Sequence, residues 1–185
     1  MIEQLKFWDY WLFYYINSQF TGELLDVLCI YFREKTFWIP LYVLGGAYLI
    51  YTYKKRAIPI ILGAVIVIIA CDQTAASIIK PLVHRLRPCN NPHLADTVRL
   101  LVQCGSGFSF VSAHAANHFG LAVYASFFFR KKLIAVPVLL LWAFAVAYSQ
   151  VYVGVHYPLD VLAGAVIGAA YGFLIVVILK RTLKM

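Results

Sequence analysis

Residues 133–179 read LIAVPVLLLWAFAVAYSQVYVGVHYPLDVLAGAVIGAAYGFLIVVIL. Two apolar runs, 133–153 and 159–179, flank a short joint, GVHYPLD at 154–160, whose end opens the second run. Across the whole stretch Asp160 is the sole Asp, Glu, Lys or Arg. A helix rises about 1.5 Å per residue and needs roughly 20 apolar residues to cross a bilayer core. Each run has about that length, so the stretch reads as a helix that crosses a membrane, turns and crosses back. The turn holds His156 and Asp160, four residues apart with Pro158 between them. Ionisable groups at a membrane edge are costly and usually functional.

Working outward, three more runs have similar length and bounds: 37–53, 58–79 and 112–129. Hydrophobic residues make up 63% of the 185-residue chain and charged ones 13%. Soluble domains average roughly 45–50% and 25%. The mean hydropathy of +0.79 agrees with a lipid solvent. The expected fold is all-α: a polytopic membrane helix bundle of five spans in a single domain over residues 1–185. The first 35 residues fit less simply. FWDYWLFYYI (7–16) is aromatic and amphipathic, as an interfacial helix would be, and 22–32 is short for a crossing. This segment is expected to lie at the surface or be partly inserted. It lacks the basic start, compact apolar core and cleavage site of a signal peptide, and is expected to belong to the mature protein.

The formal charge of +8 is explained by basic loops beside a membrane. YKKR (53–56), RKK (130–132) and KRTLK (180–184) hold nine of the sixteen Lys and Arg residues. Alternating spans put all three on one side, which the positive-inside rule makes cytoplasmic. No basic stripe with interleaved aromatics suggests a nucleic-acid partner.

The opposite side collects three other clusters. KPLVHRLRP (80–88) follows the 58–79 run and concentrates Lys80, Arg85 and Arg87 around His84. Arg presents a fork matched to phosphate oxygens and Lys a compact point charge, so this is a candidate anion site. VSAHAANH (111–118) opens the 112–129 run, with Ser112 as helix N-cap and small Ala113 leaving the free N–H groups of the first turn accessible to an anion. His114 sits in that turn. In the third cluster, the Asp160 carboxylate can fix the tautomer of His156 and stabilise its imidazolium, freeing the other ring nitrogen to attack phosphorus. His114 can then protonate the leaving oxygen and later activate water. Two histidines, a carboxylate and a cationic cradle suffice for phosphoryl transfer with no metal and no cofactor.

These residues resemble the type 2 phosphatidic acid phosphatase superfamily of integral-membrane lipid phosphatases. Its three signatures are Lys-x6-Arg-Pro, Pro-Ser-Gly-His and Ser-Arg-x5-His-x3-Asp. Lys80 to Pro88 fits the first; Ser112 and His114 fit the second, with Ala113 in place of Gly; Ser149, His156 and Asp160 fit the third. The resemblance implies a six-helix core, His156 as the nucleophile that forms a phosphohistidine, Asp160 as its partner and His114 as general acid and base. It further implies a phosphate cradle of Lys80, Arg87, Ser112 and Ala113, with Gln150 at a position where the family has arginine. That departure removes a charge, and Arg85, or Arg99 from the long 88–111 loop, is the candidate to compensate.

The partner implied is a membrane lipid phosphate in the bilayer. The lead substrate is undecaprenyl diphosphate, in a bacterial inner membrane with the site facing the periplasm or exterior. Phosphatidylglycerophosphate, phosphatidic acid and lipid A are the alternatives, as is a non-catalytic lipid-phosphate binder or transporter. A metal site using His84, His114 and His118 is disfavoured because the His-Glu-x-x-His pattern is missing. Cys89 and Cys104 share the loop on the oxidising side and are expected to form a disulfide. Cys29 and Cys71 fall in apolar runs as packing residues.

Overall fold

Glycines at every fourth position of the last apolar run set the centre of the fold. The computed structural model of the chain describes residues 2–94, 96–129 and 134–183. Its helices are α1 (Ile2–Tyr14), α2 (Glu23–Arg33), α3 (Ile39–Tyr53), α4 (Ala57–Gln73), α5 (Lys80–Val83), α6 (Ala113–Phe129), α7 (Ala135–Tyr152) and α8 (Pro158–Leu183). A wider π-helical segment, Thr74–Ile79, joins α4 to α5 without a break. No strand occurs among the described residues.

α6 and α8 make the most extensive helix pair. Gly164, Gly168 and Gly172 of α8 lie against the carbonyls of Ser112, Ala116 and Gly120. A Cβ on Gly168 would stand 2.0 Å from the Ala116 oxygen and one on Gly172 2.3 Å from that of Gly120. The stripe therefore admits backbone-to-backbone packing, the use small residues have between membrane helices. α4 packs against both members of the pair through Ile60, Val67, Cys71, Tyr124 and Val176. The Tyr124 hydroxyl donates to the Ile60 carbonyl at 2.7 Å. α7 lies on α6, α2 on α7 and α3 on α4.

The outward faces carry exposed Leu44, Leu62, Ile69, Leu141 and Val166. Continuous helical structure within 35–94, α7 and α8 is long and apolar enough to cross a membrane. The 17 residues of α6 come close to that length. The molecule is an all-α membrane helix bundle. Its basic end is described only in part: RKK at 130–132 and Lys184 lie outside the described residues.

The N-terminal segment is built into the bundle. One face of α1 exposes Phe7, Trp8 and Trp11, as its amphipathic reading implies. The other face buries Phe13 and Asp9, and Asp9 accepts from the Leu159 amide at 2.8 Å. Just beyond α1, Asn17 is fully buried. Its amide donates to the carbonyls of Tyr152 at 2.7 Å and Arg99 at 2.8 Å, and its oxygen accepts from the Arg99 amide at 2.8 Å. The N-terminal segment thus ties the long loop to the ends of α7 and α8 that flank the turn.

Candidate active site

The α7–α8 turn is drawn tight by its own backbone. The Val155 and His156 amides both donate to the Gln150 carbonyl, at 3.2 and 3.1 Å. Gly154 takes φ +87°, in the left-handed region that suits glycine. A Cβ there would also press on the Arg99 carbonyl and Val98 at 3.0 Å. The reversal leaves His156 only 2% exposed and Asp160 fully buried in the first turn of α8.

Asp160 is surrounded by donors. Oδ2 accepts from the Tyr157 amide at 2.9 Å and from the Ser109 hydroxyl, and lies 3.4 Å from His156 Nδ1. Oδ1 accepts from Arg85 Nη1 at 2.7 Å. On the far side of the imidazole, Arg87 Nη1 stands 3.3 Å from His156 Nε2. A guanidinium can only donate, so Nε2 is the acceptor and the ring proton sits on Nδ1, facing Asp160. The unprotonated nitrogen therefore points at the cationic side. Burial pushes the His156 imidazole down to about 4, against the opposing pull of Asp160.

Nε2 opens into a cavity of about 260 Å³ whose walls include Lys80, Arg87, Ala113, His114, Gln150 and His156. Motif residues from three separate stretches of chain thus meet in one space. Residues 59–184 match the sequence profile of the PAP2 superfamily, which is more than half of the chain. The chain belongs to the PAP2 superfamily.

Its relatives narrow the setting. Over 172 residues, 91% of this PAP2 chain and 68% of the relative, it is 38% identical to a lipid A 4'-phosphatase of Bacteroides thetaiotaomicron. An undecaprenyl-diphosphatase of Bacillus subtilis is 35% identical over 83 residues, 45% of this chain and 42% of that one. Among solved structures, a transmembrane PAP2-type phosphatidylglycerolphosphate phosphatase from Bacillus subtilis shares the fold, with a TM-score of 0.69 at 24% identity. That match covers 89% of this chain and 81% of that one. The PAP2 chain is a lipid phosphatase of a membrane, and its better-matched relative is a lipid A phosphatase, not the undecaprenyl diphosphatase taken as lead.

Other expected site residues fall elsewhere. Arg85 is not in the cradle: its guanidinium bridges Asp9 and Asp160 and stacks 3.9 Å over the Tyr157 ring. Two carboxylates on α1 and α8 outcompete a solvent-facing position for it. Arg99 is likewise held, by Asp26, and does not compensate for Gln150. Ser112 is fully buried and its hydroxyl accepts from the Ala115 amide at 3.4 Å, the N-cap contact expected of it, and it is not among the cavity walls. His118 turns Nδ1 to the His114 carbonyl at 2.8 Å and Nε2 toward the Tyr42 hydroxyl at 3.5 Å, so it packs α6 against α3. Cys89 and Cys104 are joined with their Cα atoms 6.1 Å apart. Next to this disulfide, Asn90 donates to the Gly105 carbonyl at 3.1 Å, and Gly105 borders the Arg87 guanidinium.

Sequence reasoning missed Arg33, Asp72 and Gln103, which also line the cavity, and Ser109 behind His156. Ser109 lies three residues before Ser112 and could have been suspected. Arg33 and Asp72 carry no local mark of their role.

Proposed function

We propose that the chain hydrolyses a phosphate monoester from a lipid A-type saccharolipid through a phosphohistidine, without a metal. The observation that carries this is His156 itself, its Nε2 lone pair facing Arg87 while Nδ1–H faces a buried carboxylate. In the first step Nε2 forms a bond to phosphorus as the bond to the sugar oxygen breaks. The electron pair goes to that oxygen, which takes a proton from His114. Arg87 and Lys80 turn to the phosphate oxygens and hold their developing charge. Asp160 stabilises the imidazolium character of phosphohistidine. In the second step His114 takes a proton from water as its oxygen bonds to phosphorus. The N–P bond breaks, its electrons return to Nε2 and orthophosphate leaves.

The lipid A assignment is supported by the 38% identity across 91% of the chain. The match to the Bacillus undecaprenyl diphosphatase is shorter, and that to an undecaprenyl-diphosphatase of Sulfolobus acidocaldarius, over 82% of the chain, is less identical at 32%. A site on the side opposite the YKKR loop agrees with a substrate headgroup outside the cytoplasm, at a bacterial inner membrane. The whole chain, residues 1–185, acts as one domain in this reading.

The test is phosphate release by detergent-purified protein in excess chelator, from lipid A and from undecaprenyl diphosphate, with His156→Ala in parallel. Release faster from lipid A and lost in His156→Ala is expected. Preference for the diphosphate would return the assignment to cell-wall carrier recycling. Release that survives in His156→Ala would refute the histidine mechanism.

A further inference from the structure

The third motif lacks its arginine, yet the cavity does not lack a third cation. Gln150 is 1% exposed and its amide donates to the Ser149 hydroxyl at 3.4 Å, so a neutral group occupies that wall. Arg33, the last residue of α2, lines the same cavity together with Lys80, Arg87, His114, Gln150 and His156. α2 reaches this place because it packs along α7, the helix that carries Gln150.

Arg33 also differs from the neighbouring arginines in what it binds. Arg85 holds Asp9 and Asp160, and Arg99 holds Asp26. Arg87 donates Nε to the Gly107 carbonyl at 3.0 Å and Nη1 to that of Val155 at 3.2 Å. Arg33 forms no ion pair among the described residues, and its Nε is buried with no hydrogen-bond partner. Arg33 and Arg87 lie close enough to repel one another. Buried donors are nearly always satisfied, and two cations crowded into one cavity hold together best around an anion. Asp72 is on the wall as well, but it accepts from Asn117 at 3.4 Å.

We propose that Arg33 is a phosphate ligand that supplies, from α2, the charge missing at Gln150. The cradle then comprises Lys80, Arg87 and Arg33, three cations for a dianionic phosphate monoester. The third charge then comes not from α7, which leads into the nucleophile's turn, but from neighbouring α2. This rests on the lipid phosphatase reading, and it makes the docking of α2 part of substrate recognition.

The test moves the charge. Arg33→Gln, Gln150→Arg and the double variant are compared with wild type in two readouts: kcat/KM for lipid A and thermal stabilisation by orthovanadate, a phosphate mimic that needs no turnover. Arg33→Gln should lose about tenfold to a hundredfold in kcat/KM, the range of one charged hydrogen bond, and most of the orthovanadate shift. The double variant should regain a large part of both. Arg33→Gln with wild-type values in both readouts would overturn the proposal. So would a drop in kcat/KM with an unchanged orthovanadate shift, which would mark a packing role. An orthovanadate shift that depends on Arg33 in a wild type inactive on lipid A and on undecaprenyl diphosphate would keep the ligand and reject the reaction. A wild type with no orthovanadate shift would reject the cradle.

Discussion

His156 combines two demands that an exposed histidine could not meet together. In the proposed mechanism its attacking nitrogen must be free of a proton, and its ring must be poised to carry positive charge once phosphorylated. Burial serves the first and Asp160 the second. Because burial holds the folded imidazole down to about 4 against an ordinary 6.5, it stays neutral at mildly acidic pH. Titration of ¹³C-labelled histidine by NMR in phosphate-free buffer, with His156→Gln assigning the signal, should show this resonance unprotonated at pH 5.5. A midpoint near 6.5 would contradict it. The linkage has a definite sign: between about pH 6.5 and 4 the unfolded chain binds a proton that the folded one refuses, so this residue makes the fold lose stability on acidification. His156, Asp160, His114, Lys80 and Arg87 were all legible because each sits in a short motif with fixed spacing. Arg33 was not. It stands 47 residues before Lys80, in a segment too short to read as a span, and only the packing of α2 on α7 brings it to the cavity.

At the level of elements, α6 and α8 act as a rigid mount for His114, the proposed general acid, on one side and for Asp160, the carboxylate beside His156, on the other. The Ser112 amide donates to the Asp160 carbonyl at 3.0 Å, which locks the starts of the two helices together. The glycine stripe keeps the rest of the pair close, so its effect on stability should be large and local. Gly168→Ala places a methyl 2.0 Å from a backbone oxygen; the helices must separate, at a cost of about 1–3 kcal/mol. Gly45→Ala on α3 meets nothing within 4 Å and should be neutral or stabilising by about 0.4–1 kcal/mol. Thermal melts of the two variants in one detergent test this contrast. Equal effects would mean the stripe is not a packing face. The stripe was visible in the sequence as a four-residue period, whereas the place of α1 was only half visible. Its aromatic face announced an interface, but the partners of Asp9 and Asn17 come from residues more than 70 positions away.

Across the whole molecule, the long loop and the N-terminal helix form a collar around a site whose chemistry comes from the bundle. The apolar helices were legible because apolar length is a local property of the chain. The collar was not, because its hydrogen bonds join distant segments with no shared periodicity. The Cys89–Cys104 bond closes a loop with a sequence separation of 15, for which chain entropy gives about 3 kcal/mol. The Cys89→Ser/Cys104→Ser variant should therefore melt lower. It should also lose activity through KM more than through kcat, since Gly105 and the Arg87 guanidinium it borders are steadied from that loop. An unchanged melting temperature would show the collar to be held by its polar contacts alone. The Asp9–Leu159 bond has a consequence in time. Its partners are 150 residues apart, and a ribosome adding roughly 5–20 residues per second separates their synthesis by on the order of ten seconds or more. In the later part of that interval, from residue 87 to residue 155, the growing chain carries Arg33, Lys80 and Arg87 but no His156. With α7 still incomplete, α2 lacks the helix it packs along, and the cavity walls from Gln150 onward are missing. In the proposed mechanism, newly made molecules therefore gain both the cradle and the nucleophile late, as the last helix enters and meets the first.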